Sequence, residues 1–191
     1  MARCGSSKCA STVPGAAPGL HAYQGDLLDQ IIRGNVVGTS TVVYDLQQFP
    51  DKRFKVEFTN AGEDYLFWMD IAHSGAKVAF SSSSEANYGR GVNIFAGTGW
   101  GTEKYMLRLH NEIKYQKLTR QLFPVTPQQR AHIQASLGTL RNAFARDLLH
   151  RVAHRKPLQW GLLWRHVQLD PQSFLLMPFS LAGGLLQRGK S

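Results

Sequence analysis

"EKYMLRLHNEIKYQKL", residues 103–118, is the stretch on which the fold turns. It follows a glycine-rich corner, Gly97-Thr98-Gly99-Trp100-Gly101, which is itself preceded by a short apolar run, "VNIF" at 92–95. A helix after that corner would make it the opening of a nucleotide- or methyl-donor-binding fold, because glycines let the backbone approach a ligand and a helix N-terminus favours negative charge. Two strands would make it a link within a sheet. The stretch alternates, with Tyr105, Leu107 and Leu109 set against Lys104, Met106 and Arg108, and its aromatic content suits strands. The alternation predicts strands at 104–110 and 112–118.

The same period extends upstream. "RFKVEFTN" (53–60) places Phe54, Val56 and Phe58 on one face and Arg53, Lys55, Glu57 and Thr59 on the other. "YLFWMDIAH" (65–73) sets Phe67, Met69 and Ile71 against Leu66, Trp68 and Asp70, and "AKVAFS" (76–81) puts Val78 and Phe80 together. With "TSTVVYDL" (39–46) and "VNIF" this makes seven short strands, separated by turn-rich links such as Asn60-Ala61-Gly62 and Ser74-Gly75. The expected fold is mainly β: an antiparallel, jelly-roll-like β-sandwich over residues 25–125.

After Pro124 the period changes. Thr126 is placed to cap a helix whose first position is Pro127, where a missing N–H costs nothing. Ile133, Leu137, Leu140, Phe144 and Leu148 recur at spacings of three and four, so an amphipathic helix is expected over 126–156. Residues 1–24 are rich in Gly, Ser, Ala and Pro and read as a flexible leader; 157–191 form an apolar tail with Trp160 and Trp164 at helical spacing but no sustained pattern.

Charge is unevenly spread. The chain carries 22 Lys and Arg against 13 Asp and Glu, and residues 126–191 hold nine of the former and two of the latter. Such a segment is either a solvated helix face or a contact for nucleic acid, an anionic membrane surface or an acidic partner. Cys4 and Cys9, both in the leader, are too few to build a Cys-based zinc site. His150 and His154 have a metal-compatible i, i+4 spacing, but no third ligand accompanies them and arginines surround them. The leader lacks the apolar stretch of a secretory signal, which favours an intracellular protein. The run "SFLLMPFSLAGGLL" (173–186) is too short for a transmembrane segment and is broken by Pro178 and a glycine pair.

Catalytic patterns are weak. Glu63-Asp64 and Asp26/Asp29 pair carboxylates in apparent turns, and Ser81 to Ser84 lack a nucleophile-elbow context. The methyl-donor reading requires a β-α series after the glycine corner and a carboxylate about twenty residues on, and Thr119 to Val125 contains none. No cofactor is expected.

Residues 72–109, "AHSGAKVAFSSSSEANYGRGVNIFAGTGWGTEKYMLRL", carry a family resemblance. Ala76, Val78, Ala79, Phe80 and Ser81 match a strand run, Gly99-Trp100-Gly101 a Gly-Gly-Trp-Gly turn, and Lys104 and Arg108 the basic positions of the strand that follows. In these the segment resembles the farnesoic acid O-methyltransferase-like (FAMeT) domain, with Gly75, Asn93 and Thr102 replacing its usual Asp, Glu and Asn. The resemblance implies a β-sandwich binding module. More faintly, "RFKVEF" and "GWGTEKY" are similar to the galectin sandwich, in which a Trp stacks on a sugar ring, although "DIAHSGAKVAF" (70–80) lacks that family's His-x-Asn-Pro-Arg run.

These readings converge on a non-catalytic binding module for carbohydrate or a protein partner, with Trp100 as stacking platform and Arg108, Glu103 and Asn93 as polar neighbours. The alternatives are an S-adenosylmethionine-dependent methyltransferase using Gly97 to Gly101, and an interaction protein acting through its basic C-terminal helix.

Overall fold

The computed structural model describes residues 10–13, 16–34, 36–58, 61–84, 86–87 and 99–175. Among them are six helices and three short strands. The expected β-sandwich is not formed. The chain divides into two compact units, Met1–Glu57 with Glu63–Gly91, and Phe58–Gly62 with Val92–Ser191.

The first unit contains strands β1 (Ala10–Thr12), β2 (Leu20–Tyr23) and β3 (Ala79–Ser81) and helices α1 (Leu27–Arg33) and α2 (Glu63–His73). The strands pair antiparallel in the order β1-β2-β3, with Ser11 opposite Ala22 and His21 opposite Phe80. Only β3 coincides with an expected strand. Asp26 caps α1 by accepting from the Asp29 N–H at 3.0 Å, and α1, whose Ile31 and Ile32 are buried, packs on α2.

Helix α2 replaces the strand expected at 65–73, for a reason visible in its burial. Leu66, Phe67, Trp68, Met69 and Ile71 are all buried, so the helix is apolar around most of its circumference and alternation carries no information about it. The segment 53–58 is irregular; Phe54 stacks on Phe67 with centroids 4.1 Å apart, and Tyr44, from the region expected as the first strand, meets Phe67 edge-on at 5.4 Å. The Trp68 indole N–H donates to Thr39 Oγ1 at 3.1 Å, so this buried ring has its polar partner.

The second unit is built from α3 (Glu103–Leu122), α4 (Pro127–Ala153), α5 (Trp160–Leu169) and α6 (Gln172–Leu175). Helix α3 overturns both strands expected at 104–110 and 112–118. Its buried residues are Met106, Leu109, His110, Ile113, Gln116 and Thr119, at helical spacings of three and four, joined by Asn111. The alternation of Tyr105, Leu107 and Leu109 is coincidental; the first two are only partly buried.

Helix α4 has Thr126 as its cap and Pro127 in its first turn, and the cap is reciprocal: Gln129 N–H donates to Thr126 Oγ1 at 3.2 Å and Thr126 N–H to Gln129 Oε1 at 2.8 Å. Met106, Leu109, Phe144, Leu148, Leu162 and Leu163 form the core where α3, α4 and α5 meet. The segment Phe58–Gly62 belongs to this unit. Gly62 has φ +97°, and a Cβ there would lie 2.8 Å from that of Tyr115, so no other residue fits without displacement. The expected strand 92–95, Asn93, both cysteines and residues 176–191 lie outside the described residues.

Candidate functional site

Two polar clusters in the helical unit gather its functional side chains. The first is centred on the glycine corner. Gly101 has φ +77°, a conformation that favours glycine, and this turns the chain into α3. The Gly101 N–H donates to Asp147 Oδ1 at 3.2 Å. The other Asp147 oxygen receives Arg151 Nε at 2.6 Å, and Arg151 Nη2 also donates to the Thr102 carbonyl. Asp147 and Arg151 are both fully buried. A carboxylate of the chain itself therefore sits at the N-terminus of α3, where a nucleotide fold would place a phosphate.

Trp100 stands beside this pair, 49% exposed. Its ring is 5.9 Å from Tyr105 and 5.6 Å from His150, and the Arg146 guanidinium lies 5.8 Å from its centroid. His154 contacts His150 at 4.3 Å, and Lys156 Nζ donates to the Gly101 carbonyl at 3.4 Å. Desolvation first, then the charges of His154 and Lys156, hold the His150 imidazolium below its ordinary pKa. Burial, followed by the Asp147 charge, raises Tyr105. The corner is thus an aromatic ring half open to solvent, with the Arg146 guanidinium and a neutral His150 ring against it and Lys156 on the adjoining Gly101 carbonyl.

The other expected site residues behave differently. Glu103 is exposed in the first turn of α3, and its carbonyl accepts from Gln159 Nε2 at 3.2 Å. Arg108 is one turn further along and pairs with Glu112 at 2.6 Å. Asn93 lies outside the described residues. Arg146, Asp147 and Lys156, which complete the corner, were not singled out from the sequence; they come from more than forty residues downstream, and no local spacing links them to Trp100.

The second cluster is closed. Asp170, between α5 and α6, receives both Arg141 Nε at 2.8 Å and Nη2 at 2.7 Å, a two-bond fork. Lys117 Nζ adds a bond at 3.1 Å and also donates to the Leu169 carbonyl. Ser173 Oγ donates to Asp170 Oδ2 at 2.8 Å, and His166 Nε2 lies 3.0 Å from the same hydroxyl. His166 Nδ1 is 3.0 Å from His110 Nδ1.

The hydroxyl has one proton, committed to Asp170, so His166 Nε2 must donate to it. His166 Nδ1 is then a bare acceptor, and His110 Nδ1 carries the proton between the rings. These tautomers are assigned from the network. Both rings are neutral: burial, followed by the charges of Arg165 and Lys114, lowers His110 to about 4. Burial and then His110 lower His166 to about 3. Burial pushes the Asp170 carboxyl up, but bonds from Arg141, Ser173 and Lys117 outweigh it and hold the group well below the carboxylate range.

Ser173 and His166 have the separation of a nucleophile and its base, but the proton runs the wrong way. A nucleophilic serine must donate to the imidazole, whereas Ser173 accepts from it, and both residues are wholly buried. The arrangement orders helices. No sequence motif announces it, apart from the Asp170-Pro171 pair that punctuates the end of α5.

Among the described residues no group of three or more His, Cys, Asp or Glu is placed to hold a metal, and no helix is long and apolar enough to cross a membrane. A groove of about 580 Å³ beside Arg120, Arg130 and Gln134 and another of about 460 Å³ beside Tyr23 and Lys77 are both open, and Trp100 lines neither. No family model matches the chain, and neither a curated protein nor a solved structure matches it.

Proposed function

We propose that the chain is a non-catalytic binding protein whose recognition face is the Trp100 corner of the helical unit, and that its ligand is an acidic protein segment. The observation that carries this is the half-exposed Trp100 ring with Arg146 and His150 against it and Lys156 bonded to the neighbouring Gly101 carbonyl. An exposed tryptophan supplies apolar contact area, and the two cations nearby, Arg146 and Lys156, select for carboxylates. Arg108 contributes little, since Glu112 already engages its guanidinium. Glu103, exposed at the start of α3, disfavours acidic residues on its own side and so orients the segment.

Binding of a labelled polyglutamate peptide, followed by fluorescence anisotropy, tests the reading. Trp100→Ala and Arg146→Ala are each expected to weaken binding by about tenfold, or about 1.4 kcal/mol, with unchanged circular dichroism. Unchanged affinity in both variants overturns it.

One observation favours a methyl-donor enzyme instead: helix α3 begins at Glu103, directly after the glycine corner. Against it stands the Gly101 N–H, which already serves Asp147. A rise in thermal midpoint on adding S-adenosylmethionine to the same chain would move the reading to that enzyme.

A further inference from the structure

Helix α5 leaves an apolar stripe uncovered. Leu162, Leu163 and His166 form its buried face. Trp160 and Trp164 are 73% and 64% exposed, and Val167 is partly exposed beside them. At about 100° per residue these three lie within an arc of about 60°, so they form one strip along the helix rather than scattered surface residues. Single exposed apolar residues are ordinary, but two tryptophans one turn apart on the same face are not.

The charges near the strip in sequence have one sign, although the exposed Glu103 meets its start, its carbonyl accepting from Gln159 Nε2. From Leu148 to Leu175 the only acidic residue is Asp170, which is buried and engaged by Arg141 and Lys117. Arg155, just before α5, and Arg165, within it, are exposed and pair with no carboxylate among the described residues. Indole rings prefer the boundary between hydrocarbon and water, because the ring is apolar and its N–H needs a polar partner. A strip of Trp, Trp and Val on a helix that also carries the exposed Arg165, with the exposed Arg155 shortly before it in sequence, matches the surface of an anionic bilayer. Base stacking in a nucleic acid would leave Val167 without a role, and a convex strip gives a peptide no groove to lie in.

We infer that the outer face of α5 docks on an anionic lipid bilayer, with Trp160, Trp164 and Val167 entering the headgroup region while Arg155 and Arg165 meet lipid phosphates and carboxylates. The helix lies in the surface plane, held by area and charge together. This surface shares no residue with the Trp100 corner, which it adjoins through Lys156 and Gln159, and the inference does not depend on the acidic-ligand reading.

Co-sedimentation of the full chain with vesicles of phosphatidylcholine mixed with phosphatidylserine tests it, against vesicles of phosphatidylcholine alone. The mixed vesicles are expected to bind at least about tenfold more tightly, and added salt to weaken that binding. The double variant Trp160→Ser/Trp164→Ser changes only exposed side chains and is expected to lose about tenfold or more in affinity while keeping native circular dichroism and polyglutamate binding. Arg155→Gln/Arg165→Gln is expected to remove the preference for phosphatidylserine. Equal binding to both vesicle types, a tryptophan double variant that binds like the parent, or capture of a single-stranded oligonucleotide with no vesicle binding each overturns the inference.

Discussion

Asp147 and Asp170 are both buried beside an arginine, but the arginines come from different places. Arg151 lies one turn along the same helix as Asp147, so that pair exists wherever α4 is helical, and its remaining bonds pin the Gly101–Thr102 corner. Asp170 instead draws Arg141 from α4, Lys117 from α3 and Ser173 from α6, while His166 of α5 reaches it through the serine. One aspartate secures a turn. The other decides how four helices meet, and the Trp100 corner depends on the first while the fold depends on the second.

Replacing each aspartate by alanine breaks this comparison most severely. Removing one partner of a buried ion pair leaves an uncompensated charge at a cost of about 3–5 kcal/mol. Asp170→Ala strands both Arg141 and Lys117 and belongs at the upper end of that range. Asp147→Ala strands one cation, Arg151, which keeps the Thr102 carbonyl, together with the neutral Gly101 N–H, and belongs near about 3 kcal/mol. Urea unfolding followed by circular dichroism is the measurement. Equal losses, or a larger loss at Asp147, would mean that Asp170 is not the junction described.

Acid sharpens the same contrast without mutation. In the folded chain His110 and His166 sit at about 4 and about 3, below the ordinary 6.5 that they regain on unfolding. Above pH 6.5 both are neutral in either state and contribute no pH dependence. As pH falls through the window from 6.5 towards about 4 and 3, the unfolded chain takes up protons that the folded chain refuses, so stability falls. Asp170, held low when folded, adds a further loss as the pH falls through the ordinary carboxylate value, where the unfolded chain protonates and the folded chain does not. The thermal midpoint is expected to decline steadily from pH 7 to pH 4. His110→Gln, which removes one titrating ring, should flatten that decline, and an unaltered slope would refute the assignment.

How much of this was legible in the sequence follows from where the polar residues lie. Helix α4 could be read because Thr126, Pro127 and Gln129 form a local start signal and Ile133, Leu137, Phe144 and Leu148 keep a clean stripe. Helix α3 could not, because His110, Asn111, Gln116 and Thr119 take up much of its buried side, and what remains of the apolar pattern alternates by chance. In α2 the difficulty is the reverse: apolar residues nearly encircle it, and a period needs a polar face to be seen. Of the corner, Trp100 and its glycines could be found, since they are contiguous. The Asp170 cluster draws on residues from Lys117 to Ser173 across four helices, a set that only the fold assembles.

The smallest expected effect tests whether the corner is held by its backbone or by Asp147. Gly101 has φ +77°, and a Cβ there would meet only the far ends of Lys156 and His150, at 3.5 and 4.0 Å. Space is therefore not the constraint. An alanine at this position is opposed by the left-handed backbone conformation, which costs a residue with a Cβ about 1–2 kcal/mol. If the Asp147 bond governs the turn, Gly101→Ala keeps the conformation, loses about that amount in urea unfolding, and leaves Trp100 in contact with His150. If the backbone governs it, the turn relaxes, the stability loss is smaller, and the Gly101 N–H moves off Asp147. Hydrogen exchange at the Gly101 amide separates the two: protection retained in the variant supports the carboxylate as the element that fixes the corner, and protection lost assigns that role to glycine.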